Sequence, residues 1–482
     1  MPRAATPNPA PLDAHIPALI DSTILKESLM DFQEANRREF LASLGAAGAA
    51  SVLVGSPDGP HAQAGEAKEK LAIDGGTPVR KSALSTGPTG PQFYDDVEKN
   101  ELLEVLASRS PFRTPGGKVS QFEQAYAAHI GVTFAFAVTS GTTALYTAMA
   151  AMEVGPGDEV ILPAWTWYAD HDAVILSGAL PVFVEIDESF SIDPELIEAK
   201  ITPRTKVIVP SHLQGGVADL DPILEIARKH KLRVVEDCAQ CCGGRYKGKF
   251  VGSIGDLGIN SFQLGKTITA GEGGAVTTSD PVLYERAFRF HDVGMVSRSF
   301  NATVGNGVLG AFASCNFRMN EFTGAVMKGQ VQKLDTICQG LRANAKKVRE
   351  GIADLPGLKL RKSADFEGDL GTTVFLDCGT RERRDRFLRA MRAEGVNAAG
   401  PGGSVILPAN ARIASKATIH PQWPSFTTPQ GKAIAYGPES CPRTIDIIGR
   451  FGGVSIGPRY TEEDVQDIIR AVRKVYLAMG LG

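Results

Sequence analysis

The 482-residue sequence predicts an α/β fold, a large, doubly wound, mainly parallel seven-stranded sheet domain followed by a smaller C-terminal α/β domain. Two observations carry this. Between residues 133 and 278 seven short apolar runs recur, each bounded by turn residues, with helix-like segments between several of them. Apolar strands alternating with helices build a sheet whose two faces are both covered. From about residue 325 the texture changes to a long helical pattern and then a few strand- and helix-like segments.

The seven runs are TFAFAV (133–138), DEVILP (158–163), LPVFVEI (180–186), KVIVPSHL (206–213), LRVVED (232–237), LGINSF (257–262) and GGAVTT (273–278). Helical spacing marks TTALYTAMAAM (142–152) and LDPILEIARKHK (220–231) between them, and YDDVEKNELLEVLAS (94–108) ahead of them. The last three runs lie too close together for full crossover helices, which predicts antiparallel pairing in part of the sheet. Residues 323–355 read as one long helix leading out of the sheet domain. TTVFLDC (372–378), RRDRFLRAMRAEG (383–395), GVSIGP (453–458) and TEEDVQDIIRAVRKVYLAM (461–479) supply the smaller domain. The Pro- and Gly-rich stretch 399–445 reads as a lid, a subunit-contact loop or irregular surface. The boundaries expected are a leader over 1–64, a linker and opening segment over 65–92, the large domain over 93–325 and the small one over 326–482.

Composition narrows the function classes. With 43% hydrophobic and 22% charged residues and a net charge of -3, the chain is ordinary for a globular protein. No basic run is present, which argues against nucleic acid as the main partner. The seven cysteines are unevenly spread, and Cys238-x-x-Cys241 has no second CxxC or CxxH nearby. They read as small buried residues rather than a metal or redox site. At the amino end, Arg37 and Arg38 precede the apolar stretch of NRREFLASLGAAGAASVLVG (36–55), and His61-Ala-Gln-Ala64 offers an A-x-A cleavage site. That order is a twin-arginine-like export signal, with an amphipathic helix as the alternative. The apolar stretch is shorter than the roughly 20 residues a bilayer span needs, so no permanent anchor is expected.

Ligands of open α/β sheets bind beyond the carboxyl ends of the strands, so the residues standing there are the candidates. Thr139-Ser140-Gly141-Thr142-Thr143 opens a helix, where free N–H groups suit a phosphate and Ser or Thr serves equally as a plain N-cap. PAWTWYADHD holds Trp165 and Trp167, either for stacking on a flat ring or for the core. Asp237 ends the run LRVV and suits a protonated ring nitrogen or a helix cap. Lys266 follows the sixth run, as a nucleophilic amine or one more solvated charge. Each is weak alone. Together they make a phosphate cradle, a stacking aromatic, an acid for a pyridinium nitrogen and an imine-forming lysine, the set that pyridoxal 5'-phosphate (PLP) requires.

On SGTTAL (140–145), PAWTW (163–167), PVFVEID (181–187), VPSHLQG (209–215), EDCAQCCGG (236–244), SFQLGKTITAGEGGAV (261–276) and CNFRMNE (315–321), the sequence resembles the DegT/DnrJ/StrS family of PLP-dependent sugar aminotransferases, fold type I. LAIDGGTPVR (71–80) resembles the opening segment of members that aminate ketocyclitols. The resemblance implies amino transfer from glutamate or glutamine to a keto sugar or ketocyclitol. It implies that Lys266 joins the cofactor as a Schiff base and moves a proton, and that Asp237 keeps the pyridine nitrogen protonated. Trp167 would stack on the ring, Gln240 would sit near the phenolic oxygen, and Gly141, Thr142 and Ser261 would bind the phosphate. Asn316 would reach the phosphate of a neighbouring subunit, which implies a homodimer with shared sites. Two stretches depart from the family pattern on its substrate side: HLQGG stands where HLYG is commoner, and RFHDVG where Arg-Asp-His-Gly is usual. Another fold type I reaction on a small extracytoplasmic substrate, such as a lyase or amino-acid transaminase, is the alternative enzyme. A PLP-binding regulatory protein without turnover is the alternative outside catalysis.

Overall fold

Seven strands line up side by side in the computed structural model, which describes residues 69–84, 90–295 and 309–481. The expected leader, with its twin-arginine pair, lies outside the described residues. The strands are β1 (Phe134–Val138), β2 (Glu159–Pro163), β3 (Leu180–Val184), β4 (Thr205–Ile208), β5 (Arg233–Asp237), β6 (Leu257–Ser261) and β7 (Gly274–Thr278). Their spatial order is β1-β7-β6-β5-β4-β2-β3. The run β6-β5-β4-β2-β3 is parallel throughout. β7 alone runs against its neighbours, pairing antiparallel with both β1 and β6. The short gap after β6 has room for a turn but not for a crossover helix, as its spacing predicts. The consequence for function is directional: the carboxyl ends of the other six strands all open on one edge.

Helices cover both faces. Phe122 and Tyr126 of α1 (Lys118–Ile130) and Ile223 of α2 (Leu220–His230) are drawn into one core, together with Val234 of β5. Leu145 and Met149 of α3 (Gly141–Ala151), Ala173 and Val174 of α4 (Tyr168–Leu176) and Phe288 of α5 (Pro281–His291) join the other, with Val235. Consecutive residues of β5 thus serve opposite cores, as the two-residue repeat of a strand requires.

The expected long helix over 323–355 is a pair instead, α6 (Glu321–Val331) and α7 (Leu334–Ile352). The break at 332–333 has a local cause. Gln330 Nε2 and Lys333 Nζ both bond the buried Glu98 carboxylate, at 2.8 and 2.7 Å. Lys333 N–H turns back to the Gln330 carbonyl at 3.0 Å, so the chain tightens there before resuming. Beyond α7, β8 (Thr373–Asp377), β9 (Ala398–Ala399) and β10 (Phe451–Ser455) form a second sheet in the order β8-β10-β9, packed with α8 (Arg381–Ala393) and α9 (Glu462–Met479).

The stretch 399–445 is a strap back to the large sheet. Val405 and Ile406 pair with Trp165 and Thr166, and Leu407 N–H bonds the Ala164 carbonyl at 2.8 Å. Further on, Trp423 Nε1 donates to the Ile175 carbonyl and the Tyr436 hydroxyl to the Pro181 carbonyl. Among the described residues, no helix is long and apolar enough to cross a membrane.

Candidate active site

The helix α3 begins where β1 ends. Ser140 caps it reciprocally: its hydroxyl accepts from Thr143 N–H at 3.1 Å, and the Thr143 hydroxyl accepts from Ser140 N–H at 2.9 Å. The N-cap reading therefore holds for Ser140, and the cap leaves the N–H groups of Gly141 and Thr142 at the positive end of the helix. Gly141 lies against Ser261 at the end of β6: a Cβ on Gly141 would come within 2.7 Å of Ser261 Cβ. Gly274 does the same service from β7, where a Cβ would meet the Ser140 carbonyl oxygen at 2.3 Å. Two glycines thus let a helix start, a strand end and a hydroxyl converge into a small polar cradle, and Thr142 lies exposed at its rim.

After β6 the chain folds into a loop closed by its own bonds. Phe262 N–H donates to the Gly273 carbonyl at 2.8 Å, Leu264 N–H to Gly271 at 3.0 Å and Lys266 N–H to Gln263 at 2.9 Å. The Thr269 hydroxyl anchors it from inside, donating to the Phe262 carbonyl at 2.8 Å. Lys266 is half-buried at the top of this loop. Burial lowers its ammonium below the ordinary lysine value, while the negative charge of Asp237 works the other way. Such an amine is nearer to the neutral, nucleophilic form than a solvated lysine.

Asp237, the last residue of β5, is 5% exposed. Burial raises its carboxyl; the Ala239 N–H, bonded at 2.9 Å, and the charge of Lys266 restrain that rise. The aromatic pair divides cleanly: Trp165 is 1% exposed and packs edge-on to Phe190, whereas Trp167 is 48% exposed and meets Tyr168 edge-on. Gln240 is engaged with the strap: its Nε2 donates to the Gly403 carbonyl and Ser404 Oγ, both at 2.9 Å, and its Oε1 accepts from Gln214 N–H at 3.2 Å. Asn316 is exposed on a segment that bridges Asp292, and its side-chain oxygen accepts from Arg318 N–H at 3.2 Å.

The two departures from the family pattern have different fates. Gln214 of HLQGG faces the site's rim and donates to the Gly402 carbonyl and to Gln240. His291 of RFHDVG is buried: its Nδ1 bonds the Phe288 carbonyl at 2.5 Å and its Nε2 faces Arg113. Burial and the Arg113 charge hold its imidazole well below the usual histidine range, so this histidine is a neutral core residue. The cysteines of EDCAQCCGG are buried free thiols, and burial pushes Cys238 and Cys241 well above the ordinary thiol value. His212, Glu236 and Cys238 cluster within 4.8 Å, but Glu236 already accepts three backbone N–H groups and the His212 ring. That cluster ties loops to the sheet.

Sequence reasoning missed Asp170, which sits in the quoted PAWTWYADHD but carries no signal of its own. It is 1% exposed on α4, where the hydroxyls of Thr166 and Ser211, which follow β2 and β4, donate to it, and Asp237 at the end of β5 acts on it. Only its contact with Asp237, which is 67 positions away in the chain and made by folding, reveals it.

An amine of depressed basicity, a buried acid facing it and a cradle of N–H and hydroxyl donors, all on the carboxyl edge of a mainly parallel sheet, define a PLP-dependent enzyme of fold type I. The sequence profile of the DegT/DnrJ/EryC1/StrS aminotransferase family matches residues 94–473, and the chain belongs to that family. It is 33% identical over 430 residues to L-glutamine:2-deoxy-scyllo-inosose aminotransferase of Micromonospora echinospora, covering 84% of this chain and 97% of that one. It is 41% identical over 254 residues to 3-amino-5-hydroxybenzoate synthase of Amycolatopsis mediterranei, covering 52% of this chain and 63% of that protein. Among solved structures, 3-amino-5-hydroxybenzoic acid synthase superposes with a TM-score of 0.69 at 29% identity, over 83% of this chain and 100% of that chain. The aminotransferase from Psychrobacter cryohalolentis gives 0.68 at 27% identity, over 82% and 99%. The protein is a PLP-dependent aminotransferase.

Proposed function

We propose that this enzyme moves the amino group of glutamine or glutamate onto the keto carbon of a ketocyclitol or keto sugar. The observation that carries the reading is Lys266, held half-buried with lowered basicity in a self-closed loop that faces Asp237. The names of the relatives that match along most of their length point to ketocyclitols as the first substrates to test.

PLP, when bound, supplies an electrophilic carbon for amines and a ring that accepts electrons from the substrate carbon. Lys266 Nζ would hold PLP through its amine and, when free, would take and return the proton at the substrate carbon. Asp237 would accept a hydrogen bond from the ring N–H and so keep that nitrogen protonated. The N–H groups of Gly141 and Thr142, with the Ser261 hydroxyl, would hold the phosphate at the helix start. Trp167 would cover one face of the ring, and Gln240, already bonded to Gly403 and Ser404, would tie that edge of the site to the strap. A screen of keto sugars, inosose and keto acids against several amino donors tests the assignment. Turnover with keto acids alone, or elimination without amino transfer, would replace it with the amino-acid transaminase or lyase reading.

The same reading includes a homodimer in which Asn316 serves the partner's phosphate. Mixing Lys266→Ala with Asn316→Ala protein should restore activity above that of either variant, and no gain on mixing would refute shared sites. It also includes export through the twin-arginine-like leader, a route that carries folded proteins with cofactor already loaded. Amino-terminal sequencing of the native protein should begin just after Ala64; an intact start at Met1 or Met30 would overturn export with cleavage.

A further inference from the structure

Beneath Asp237 lies a second carboxyl group that the reaction as described does not use. Asp170 Oδ2 accepts from Thr166 Oγ1 at 2.5 Å and from Ser211 Oγ at 2.9 Å, whereas its Oδ1 meets no N–H or O–H donor. Thr166 and Ser211 are themselves fully buried. Ser211, whose hydroxyl holds Asp170, bridges Asp237 on the neighbouring strand, which sets the two buried carboxyl groups beside each other. Ionised carboxylates only accept, so two of them share a hydrogen bond only when one carries a proton.

The surroundings decide which one. Asp237 faces the Lys266 amine and the His212 ring and accepts the Ala239 N–H at 2.9 Å, all of which favour its charged form. Asp170 faces two neutral hydroxyls and lies beside the Asp237 carboxylate. We propose that Asp170 is a standing carboxylic acid that donates its proton to Asp237, making it a positioning residue for the cofactor's ring nitrogen. Burial first, then the negative charge of Asp237, drive Asp170 well above the usual carboxylate range, in agreement with this assignment.

The inference rests on the reading that Asp237 meets the pyridine nitrogen, and it adds a reason why the proton stays on the ring. A carboxylate that already accepts an O–H bond is a weaker base, so Asp237 binds the ring N–H without taking its proton. The bond also fixes the carboxylate plane, since Asp170 is held from its other side by two hydroxyls. The proton moves nowhere in the resting state: it remains on Asp170 and bridges the pair.

Infrared spectra of the purified wild type minus those of Asp170→Asn, each with and without PLP, test the proton directly. At neutral pH the wild type should show the carbonyl band of a buried carboxylic acid. Asp170→Asn should remove it, and the surface control Asp354→Asn should leave it. No such band, or one unaffected by Asp170→Asn, overturns the proposal. Cofactor titration supplies the second arm. Asn at 170 still accepts from Thr166 and Ser211 and donates to Asp237, so affinity should stay within about threefold of wild type. Asp170→Ala should weaken PLP binding about tenfold and raise the pH at which acid releases the cofactor by roughly one unit. Equal losses in the Asn and Ala variants, or no loss in either, would overturn the donor role; if the Ala variant does not fold, Asp170→Ser takes its place. A protein that binds no PLP at all would refute the functional reading, while the band in cofactor-free protein would still decide the state of the carboxyl pair.

Discussion

Glu236 and Asp237 stand next to each other at the end of β5, on opposite faces of the sheet, and both are buried. Around Glu236 the fold is complete. One oxygen accepts from Ile254 and Gly255 N–H at 2.8 and 2.7 Å, and the other from Gly252 N–H at 2.9 Å and His212 Nε2 at 3.2 Å. Burial alone would raise this carboxyl, but His212 and the backbone donors outweigh it and leave it below its ordinary value. Around Asp237 the fold gives one backbone N–H, a second carboxyl and a facing amine, and the carboxyl ends up raised. A saturated carboxylate is a fastening. One with hydrogen-bonding capacity in reserve is a receptor for something the chain does not contain.

Mutations that strike one side only should split activity from stability. The largest effect is expected from Lys266→Ala, which removes the amine facing Asp237. Turnover should fall at least about 10³-fold and the visible-edge absorbance of the cofactor-loaded protein should vanish, with an unchanged melting temperature. Asp237→Asn should cost about 10²-fold in turnover while the protein stays as stable as wild type in urea. Glu236→Gln should do the reverse, lowering unfolding free energy by about 3 kcal/mol because a buried charge-paired acceptor is lost, and the folded fraction should keep its turnover. The pH dependence has a fixed sign: with its folded value below 4.5, Glu236 contributes stability that is present above pH 4.5 and lost as pH falls through the folded value. The stability gap between wild type and Glu236→Gln should therefore close in acid. Trp167→Ala should give the smallest change, about tenfold weaker PLP binding with no loss of stability, since Trp167 is 48% exposed.

The same pair shows what a sequence discloses. The strands were legible because apolar runs bounded by turn residues are a local signal, and spacing disclosed that part of the sheet is antiparallel, though not that β7 is that strand while β5 and β6 pair parallel. The positions of Lys266, Asp237 and Gly141 at strand ends were legible because strand ends can be counted along the chain, whereas Ser261 came only from the family resemblance. Asp170 and the role of Glu236 were not, because each depends on partners brought in by folding: Asp237 for the first, the 252–255 turn and His212 for the second. The break between α6 and α7 was hidden for a similar reason, as Glu98, more than 200 positions earlier, pins Gln330 and Lys333. The strap over 399–445 has no period of its own, and it becomes visible only through its pairing with Trp165 and Thr166.

The central claim is that the carboxyl edge of the sheet holds PLP for amino transfer to a cyclic keto substrate. Its most direct test is a spectral titration of the purified, PLP-loaded protein. L-glutamine should bleach the visible-edge absorbance, and an inosose added afterwards should restore it with formation of the aminocyclitol. Absorbance that no amino donor changes would contradict the account.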